Sequence, residues 1–255
     1  PLLEMTGVTK SFAGNTVLSG VDLALFAGEV HALVGENGAG KSTLMKILNG
    51  VYTADRGSIQ IEGRPLRIAG PYDARRAGIG MIFQEHTLAE HLTVAENIFL
   101  GREPAGRWGF VDSRRLVAGA RRILDDYGLP LDPRARVAGL SRGAKQLVEI
   151  ARALATSSRV IVMDEPTAVL SHGETEQLFR IIGHLKERGL AVVYISHRME
   201  ELGRVADRLT ILRDGRRVFS GRFDSIDQAG VIRHMVGREI RELYPPLAEA
   251  RSEVA

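Results

Sequence analysis

The chain has 255 residues, 44% hydrophobic and 25% charged, an ordinary balance for a globular fold with a sizeable core. Its 34 basic and 31 acidic residues leave a net charge of +3, too small and too mixed to argue for nucleic acid. With no cysteine there is no disulfide or thiolate metal site, no apolar run reaches the roughly 18 residues that cross a bilayer, and no signal-peptide pattern is present.

In chain order, residues 2–26 read as short strands with turns at Gly14-Asn15 and Ser19-Gly20. A strand over 29–34 leads into a glycine-rich loop, and a helix follows over 41–48. Short strands are expected at 58–62 and 79–83. From about 85 to 158 the character turns helical, with helices over 93–100, 113–127 and 144–155. An apolar, β-branched strand over 159–163 ends in Asp164 and Glu165. Then come a helix over 174–186, a strand over 191–195, a short helix over 199–205, and strands over 209–212 and 216–221 joined at Asp214-Gly215. A last helix covers 230–236, and the polar tail after Pro245-Pro246 reads as frayed. Strands alternating with helices imply a mainly parallel sheet covered on both faces, with an early antiparallel addition and a separate helical lobe.

The loop Gly35-Glu36-Asn37-Gly38-Ala39-Gly40-Lys41-Ser42-Thr43 fits the phosphate-loop pattern and lies between a strand and a helix, as that pattern requires. Glycines let backbone N–H groups close around phosphates. Lys41 would neutralise the β and γ oxygens, and Ser42 would hold Mg²⁺. Asp164 and Glu165 end a strand that, buried on both faces, can offer a polar group only at its tip. Asp164 suits Mg²⁺, and Glu165 suits the attacking water. A nucleoside triphosphatase or kinase follows from these two features together. A second helix start, GLSRGAKQLVEIARAL over 139–154, has Ser141 at the N-cap and an apolar face through Leu147, Ile150, Ala151 and Leu154. Such an end favours an anion, although the chain already has a better phosphate cradle.

The order of phosphate loop, Gln84, LSRGAKQ, VIVMDE and His197 after a strand resembles the ATP-binding cassette (ABC) ATPases over nearly the whole chain. That resemblance implies an α/β phosphate-loop nucleoside triphosphatase (RecA-like) core with a parallel sheet, an N-terminal antiparallel β part and an inserted α-helical lobe. It implies one unit over 1–255, with 1–85 and 159–240 as core, 86–158 as lobe, and 241–255 as a tail or linker. It implies ATP hydrolysis with ATP and Mg²⁺ as cofactors. The segment at 140–144 then matches the family signature, which usually reads LSGGQ. Leu140, Ser141 and Gly143 agree, whereas Arg142 and Ala144 depart. The resemblance makes Ser141 and Gly143 donors to the γ-phosphate held by an opposing cassette, two cassettes enclosing two nucleotides head to tail. It makes Gln84 a ligand of Mg²⁺ and of the attacking water, His197 a contact for the γ-phosphate, and Phe12 a platform for adenine. Ser171 stands where the family carries an aspartate after Ala168-Val169-Leu170, which points to weaker cross-talk between the two sites.

Residues 84–88, 92–102, 148–154 and 196–202 are similar to the monosaccharide-importer ATPases. The ending Met235-Val236-Gly237-Arg238-Glu239, then Leu243-Tyr244-Pro245, is similar to the join after the first of two tandem cassettes. With a first residue Pro1 rather than Met, the expectation is a trimmed or excised N-terminal half. The implied partners are a second cassette (its own C-terminal half or another copy), membrane permease subunits and, indirectly, a solute-binding protein, with no nucleic acid. The implied place is the cytoplasmic face of the inner membrane. Ribose, xylose, galactose and nucleoside-like cargo stay open. The segment 85–99 would carry the permease groove, its apolar Leu88, Leu92 and Phe99 being either groove or lobe core. A soluble phosphate-loop kinase has no use for the signature helix. A non-transport ABC protein acting on ribosomes or DNA usually carries long charged linkers, and none is seen. The remaining histidines show no metal spacing.

Overall fold

The computed structural model describes residues 1–82, 87–106, 110–156 and 158–237. Gln84 lies outside the described residues. Among those described, the strands form two sheets. The first is antiparallel and joins β1 (Leu3–Phe12), β2 (Asn15–Leu25), β4 (Arg56–Ile61) and β5 (Arg64–Pro65) in the order β2-β1-β4-β5. The second contains β3 (Val30–Val34), β6 (Ile79–Ile82), β7 (Val160–Asp164), β8 (Ala191–Ile195), β9 (Arg208–Arg213) and β10 (Arg216–Arg222) in the order β10-β9-β3-β8-β7-β6. Its pairs from β9 through β6 are parallel, and β10 is an antiparallel edge.

Every residue of β3 and β8 is buried, which is why both read as apolar runs rather than alternating ones. Alternate residues of β3 feed two cores: Val30, Ala32 and Val34 join one, Leu33 the other. The second core is shared with β1, β2 and α1 (Lys41–Leu48). The first core continues into the helices α3 (Val94–Phe99), α4 (Ser113–Asp126) and α5 (Arg142–Leu154), so the helical lobe shares its apolar interior with one face of the sheet. Leu88 and Phe99 pack against this core, which decides their role in favour of the lobe interior. The helices α6 (His172–Glu187), α7 (Met199–Val205) and α8 (Gln228–Val236) complete the cover of that face.

The described structure departs from the sequence reading in places. The opening segment forms two long strands rather than several short ones. Gly7 and Gly20 take positive φ at register shifts between β1 and β2, so the turn signal at Ser19-Gly20 bends a strand without ending it. The short helix α2 (Pro71–Arg76) buries only Ala74 and offers no periodicity to read. Ser171, expected as the remnant of an absent acid, is the N-cap of α6 in a capping box with Glu174.

The register of the parallel strands fixes the site. Val34 lies level with Ile211, and Asp164 with Ile195. The loops that leave β3, β7 and β8 therefore start from one edge of the sheet, where open α/β sheets bind ligands.

Candidate functional site

At that edge Asn37, Gly38, Gly40, Lys41, Ser42, Thr43, Asp164 and Glu165, with Val17 of the antiparallel sheet, line a cavity of about 270 Å³. Gly35 opens the loop with φ 154°, and a Cβ there would run into the Leu212 carbonyl, so only glycine permits the turn. The helix α1 begins at Lys41 with its N-terminal N–H groups free of any side-chain cap. A helix end of this kind receives phosphate. The Lys41 ammonium donates to the carbonyls of Gly35 (2.6 Å) and Glu36 (3.0 Å), folded over the loop it would share with an anion.

The electrostatics of the cavity suit a cation and a polyphosphate together. Burial pushes the Asp164 carboxyl up, the adjacent Glu165 charge adds to this, and Lys41 and Lys46 oppose it. Burial pushes the Lys41 ammonium down, opposed by Asp164 and Glu165. The desolvated Asp164 carboxylate beside the Ser42 hydroxyl forms an oxygen donor set appropriate to Mg²⁺. Residues Ser42 and Asp164 fit that ion. No group of three or more His, Cys, Asp or Glu side chains that could hold a metal ion occurs among the described residues.

Glu165 has φ 46°, a left-handed conformation that costs a non-glycine residue of order 1 kcal/mol. Its N–H donates to the Ile195 carbonyl (2.9 Å), and its Oε1 accepts from Nδ1 of His197 (3.0 Å). A carboxylate can only accept, so Nδ1 carries the proton. The two residues are 32 apart in sequence and meet because β7 and β8 are neighbours.

Ser141 and Gly143 do not line the phosphate cavity. They stand at the start of α5, in a small cavity of about 110 Å³ with Leu170 and Glu174. Ser141 Oγ accepts from the Ala144 N–H (3.2 Å), the N-cap expected from the sequence. Oε1 of Glu174 accepts from Ser141 Oγ (3.0 Å) and from the Gly143 N–H (3.2 Å), while Oε2 accepts from the N–H and Oγ of Ser171. One carboxylate therefore serves the N-termini of α5 and α6. A Cβ on Gly143 would collide with it. The anion at the second helix end is thus a residue of the same chain. The S-x-x-E spacing of Ser171 and Glu174 was a signal for the cap on α6, but nothing local pointed to α5.

Phe12 ends β1, 37% exposed, and meets Tyr52 edge-on with centroids 5.0 Å apart. Tyr52 was not singled out in the sequence. A further groove of about 370 Å³ between α2 and the lobe is lined by Arg75, Arg102, Arg152, Leu100 and Thr87. Arg152 donates to Thr87 Oγ1 (2.6 Å), and the Thr87 N–H donates to Glu149 (2.9 Å). Burial pushes the Arg102 guanidinium down, and the neighbouring Arg75 and Arg152 charges push the same way.

A glycine loop at the tip of a central parallel strand, its lysine sharing a cavity with a carboxylate pair at the end of β7, defines a phosphate-loop nucleotide-binding cassette. The chain belongs to the ABC transporter family, whose pattern it matches over residues 18–168. It is 53% identical over 248 residues to ribose import ATP-binding protein RbsA 1 of Rubrobacter xylanophilus, covering 96% of this chain and 49% of that protein. It is 49% identical over 257 residues to a putative ribose/galactose/methyl galactoside import ATP-binding protein of Burkholderia cenocepacia, covering 100% of this chain and 50% of that one. The chain spans about half the length of these curated relatives. Its fold is similar to that of a nucleotide-free ATP-binding cassette from an ABC transporter, with a TM-score of 0.79 at 28% identity over 93% of this chain and 95% of that one.

Proposed function

We propose that this chain is the ATP-hydrolysing cassette of an importer for a monosaccharide. The observation that carries the reading is the convergence of Lys41, Ser42, Asp164 and Glu165 on one cavity, with Glu165 in contact with His197. The sugar class rests on the names of the ribose and galactose import relatives.

In this reading the N–H groups of residues 38–43 and the Lys41 ammonium bind the β and γ phosphates of ATP. Phe12 stacks on the adenine. Mg²⁺, held by Ser42 and Asp164 and with Gln84 as the family pattern implies, supplies charge neutralisation on the phosphate oxygens. Glu165 orients the attacking water and accepts its proton. His197, fixed by its Nδ1 proton on Glu165, presents Nε2 toward the γ-phosphate side. Ser141 and Gly143 contact the γ-phosphate bound by a second cassette, either a further part of the same polypeptide or another copy. That phosphate takes the position Glu174 Oε1 holds in the isolated chain.

The groove bearing Arg75, Arg102 and Arg152 is the proposed seat of the permease, whose inserted segment would bring acidic side chains or a helix C-terminus to three converging guanidinium groups. In this reading contact with the bilayer runs through such a partner, on the cytoplasmic face of the inner membrane; no helix among the described residues is long and apolar enough to cross a membrane. A solute-binding protein would deliver the sugar on the other side.

The test is ATP turnover against protein concentration for the chain and for Glu165→Gln. Specific activity that rises with concentration and disappears in the variant supports both the water-handling role of Glu165 and the sandwich. Activity that is flat in concentration but lost in the variant removes the sandwich and keeps Glu165. Turnover that survives in the variant removes Glu165 from its role.

A further inference from the structure

We infer that Glu201 is a positioning residue for the Glu165–His197 pair, clamping the loop that follows β7 to the loop that follows β8. The inference rests on the proposed roles of Glu165 and His197. Glu201 itself touches neither of them nor the phosphate cavity.

The carboxylate of Glu201 is withdrawn from water, the residue being only 7% exposed. A buried charge is tolerated only where its lone pairs are met. Among the described residues four side chains donate to it. Thr167 Oγ1 reaches both oxygens (2.9 and 2.7 Å), Tyr194 OH reaches Oε2 (3.0 Å), Ser196 Oγ reaches Oε2 (3.2 Å), and Arg198 Nη1 reaches Oε1 (3.1 Å).

The donors are not scattered. Ser196 and Arg198 are the residues immediately before and after His197, and Ser196 Oγ also accepts from the Arg198 N–H (3.1 Å). Thr167 stands two residues after Glu165, across Pro166. Tyr194 is fully buried in β8 and ties the knot to the sheet. Burial and the Glu201 charge push its phenol up, so it remains a donor. One carboxylate therefore holds both sides of the His197 loop and the chain just beyond Glu165.

That arrangement answers a specific need. Glu165 sits in a strained left-handed conformation, and such strain persists only where the surroundings over-determine it. The backbone tie from the Glu165 N–H to Ile195 holds one side of the residue. The Thr167–Glu201 bonds hold the other. The 3.0 Å contact between Glu165 and His197 depends on both loops staying in this relation, and His197 is itself two-thirds exposed at the side chain with little packing to fix it.

The experiment uses the intact protein, with Glu201→Gln, Thr167→Val and Thr167→Ser compared with wild type and with Glu165→Gln. Glutamine keeps the shape of Glu201 but points an NH₂ donor into a ring of donors. Valine at 167 keeps the shape of threonine and removes one donor, leaving the carboxylate three others. Kd for ATP is expected to stay within about two-fold in the Glu201 and Thr167 variants, because the phosphate loop takes no part in the knot. Turnover is expected to fall about 10-fold or more in Glu201→Gln and Thr167→Val, since misplacement of a catalytic group by a fraction of an ångström has that effect. Thr167→Ser should restore it. The pH profile of kcat should shift in the two impaired variants; a clamp that served the fold alone would lower the melting temperature and leave the profile of the folded protein unchanged. Should Glu201→Gln fail to fold, Thr167→Val decides. If Glu165→Gln still hydrolyses ATP, the proposed role of Glu165 falls first. If Glu165→Gln is dead while Thr167→Val keeps wild-type kcat and pH profile, the positioning role of Glu201 is overturned.

Discussion

Lys41 shows how a single residue is set up for its task. In the isolated chain its ammonium donates to two loop carbonyls, and burial weakens its proton affinity while Asp164 and Glu165 strengthen it. A phosphate brought to α1 would supply charged acceptors in place of neutral ones, and charge-assisted bonds are about twice as strong. Lys41→Ala should therefore weaken ATP binding by one to two orders of magnitude, corresponding to about 1.5–3 kcal/mol for a hydrogen bond to a charged group. Fluorescent-nucleotide titration checks this, and an unchanged Kd would show that the lysine is not a phosphate ligand. The residues of the phosphate loop, Asp164 and Glu165 were legible in the sequence because each belongs to a contiguous motif whose spacing carries its chemistry. Tyr52 beside Phe12 and Glu201 beside Thr167 were not. Their partners lie 40 and 34 residues away, and only the tertiary fold brings them together.

Elements were readable where their ends are. The helices α4, α5 and α8 begin at Asp112, Ser141 and Asp227, each accepting from backbone N–H groups of its own first turn; of these caps the sequence reading named Ser141, and it started the last helix at 230, past Asp227. What the sequence could not reveal is that α5 and α6 share Glu174. The carboxylate belongs to the capping box of α6 and reaches a neighbouring helix 31 residues upstream. Four donor groups hold it below the usual carboxylate range, those of Ser171 foremost. A depressed carboxyl contributes stability above its unfolded value near 4.5, and that stability is lost as pH falls through the lower folded value. Glu174→Gln should then destabilise the chain at neutral pH by about 0.5–1 kcal/mol, the worth of a charged N-terminal cap. The difference should vanish once the pH has fallen through that lower folded value. The proposed sandwich makes the opposite demand on the same residue, because a γ-phosphate at α5 must displace Oε1. The variant should melt lower and yet reach half-maximal activity at a lower protein concentration. Paired melting and concentration series test this, and a higher concentration requirement would mean that Glu174 supports the sandwich rather than competing with it.

At the scale of the whole molecule, the sheet carries a titratable group in its central strands. His31 lies in β3, 2% exposed, on the face it shares with Leu33, and its Nε2 is 2.8 Å from Thr210 Oγ1, which in turn meets Ser220 Oγ at 2.9 Å. Arg208 lies level with it on β9, and Glu29 sits one residue before β3 with its carboxylate 3.9 Å from the Arg208 guanidinium. Burial, with the Arg208 charge as a lesser cause, pushes the imidazole down from 6.5 to about 4. The unfolded chain therefore binds this proton first. Above about pH 6.5 both states hold a neutral ring and His31 gives no pH dependence; between 6.5 and 4 only the unfolded state is protonated, so stability falls as the solution is acidified. From pH 7 to pH 5 the loss amounts to about 2 kcal/mol, a sizeable share of the 5–15 kcal/mol that holds an ordinary domain together. It falls on the strand that leads directly into the phosphate loop. Glutamine at this position can still bond Thr210 and cannot titrate in this range. Urea unfolding of His31→Gln at pH 7 and pH 5 should show a pH-dependent loss about 2 kcal/mol smaller than in the wild type. Equal losses in the two proteins would mean that water reaches the ring in the folded state and that another group sets the acid limit of the fold.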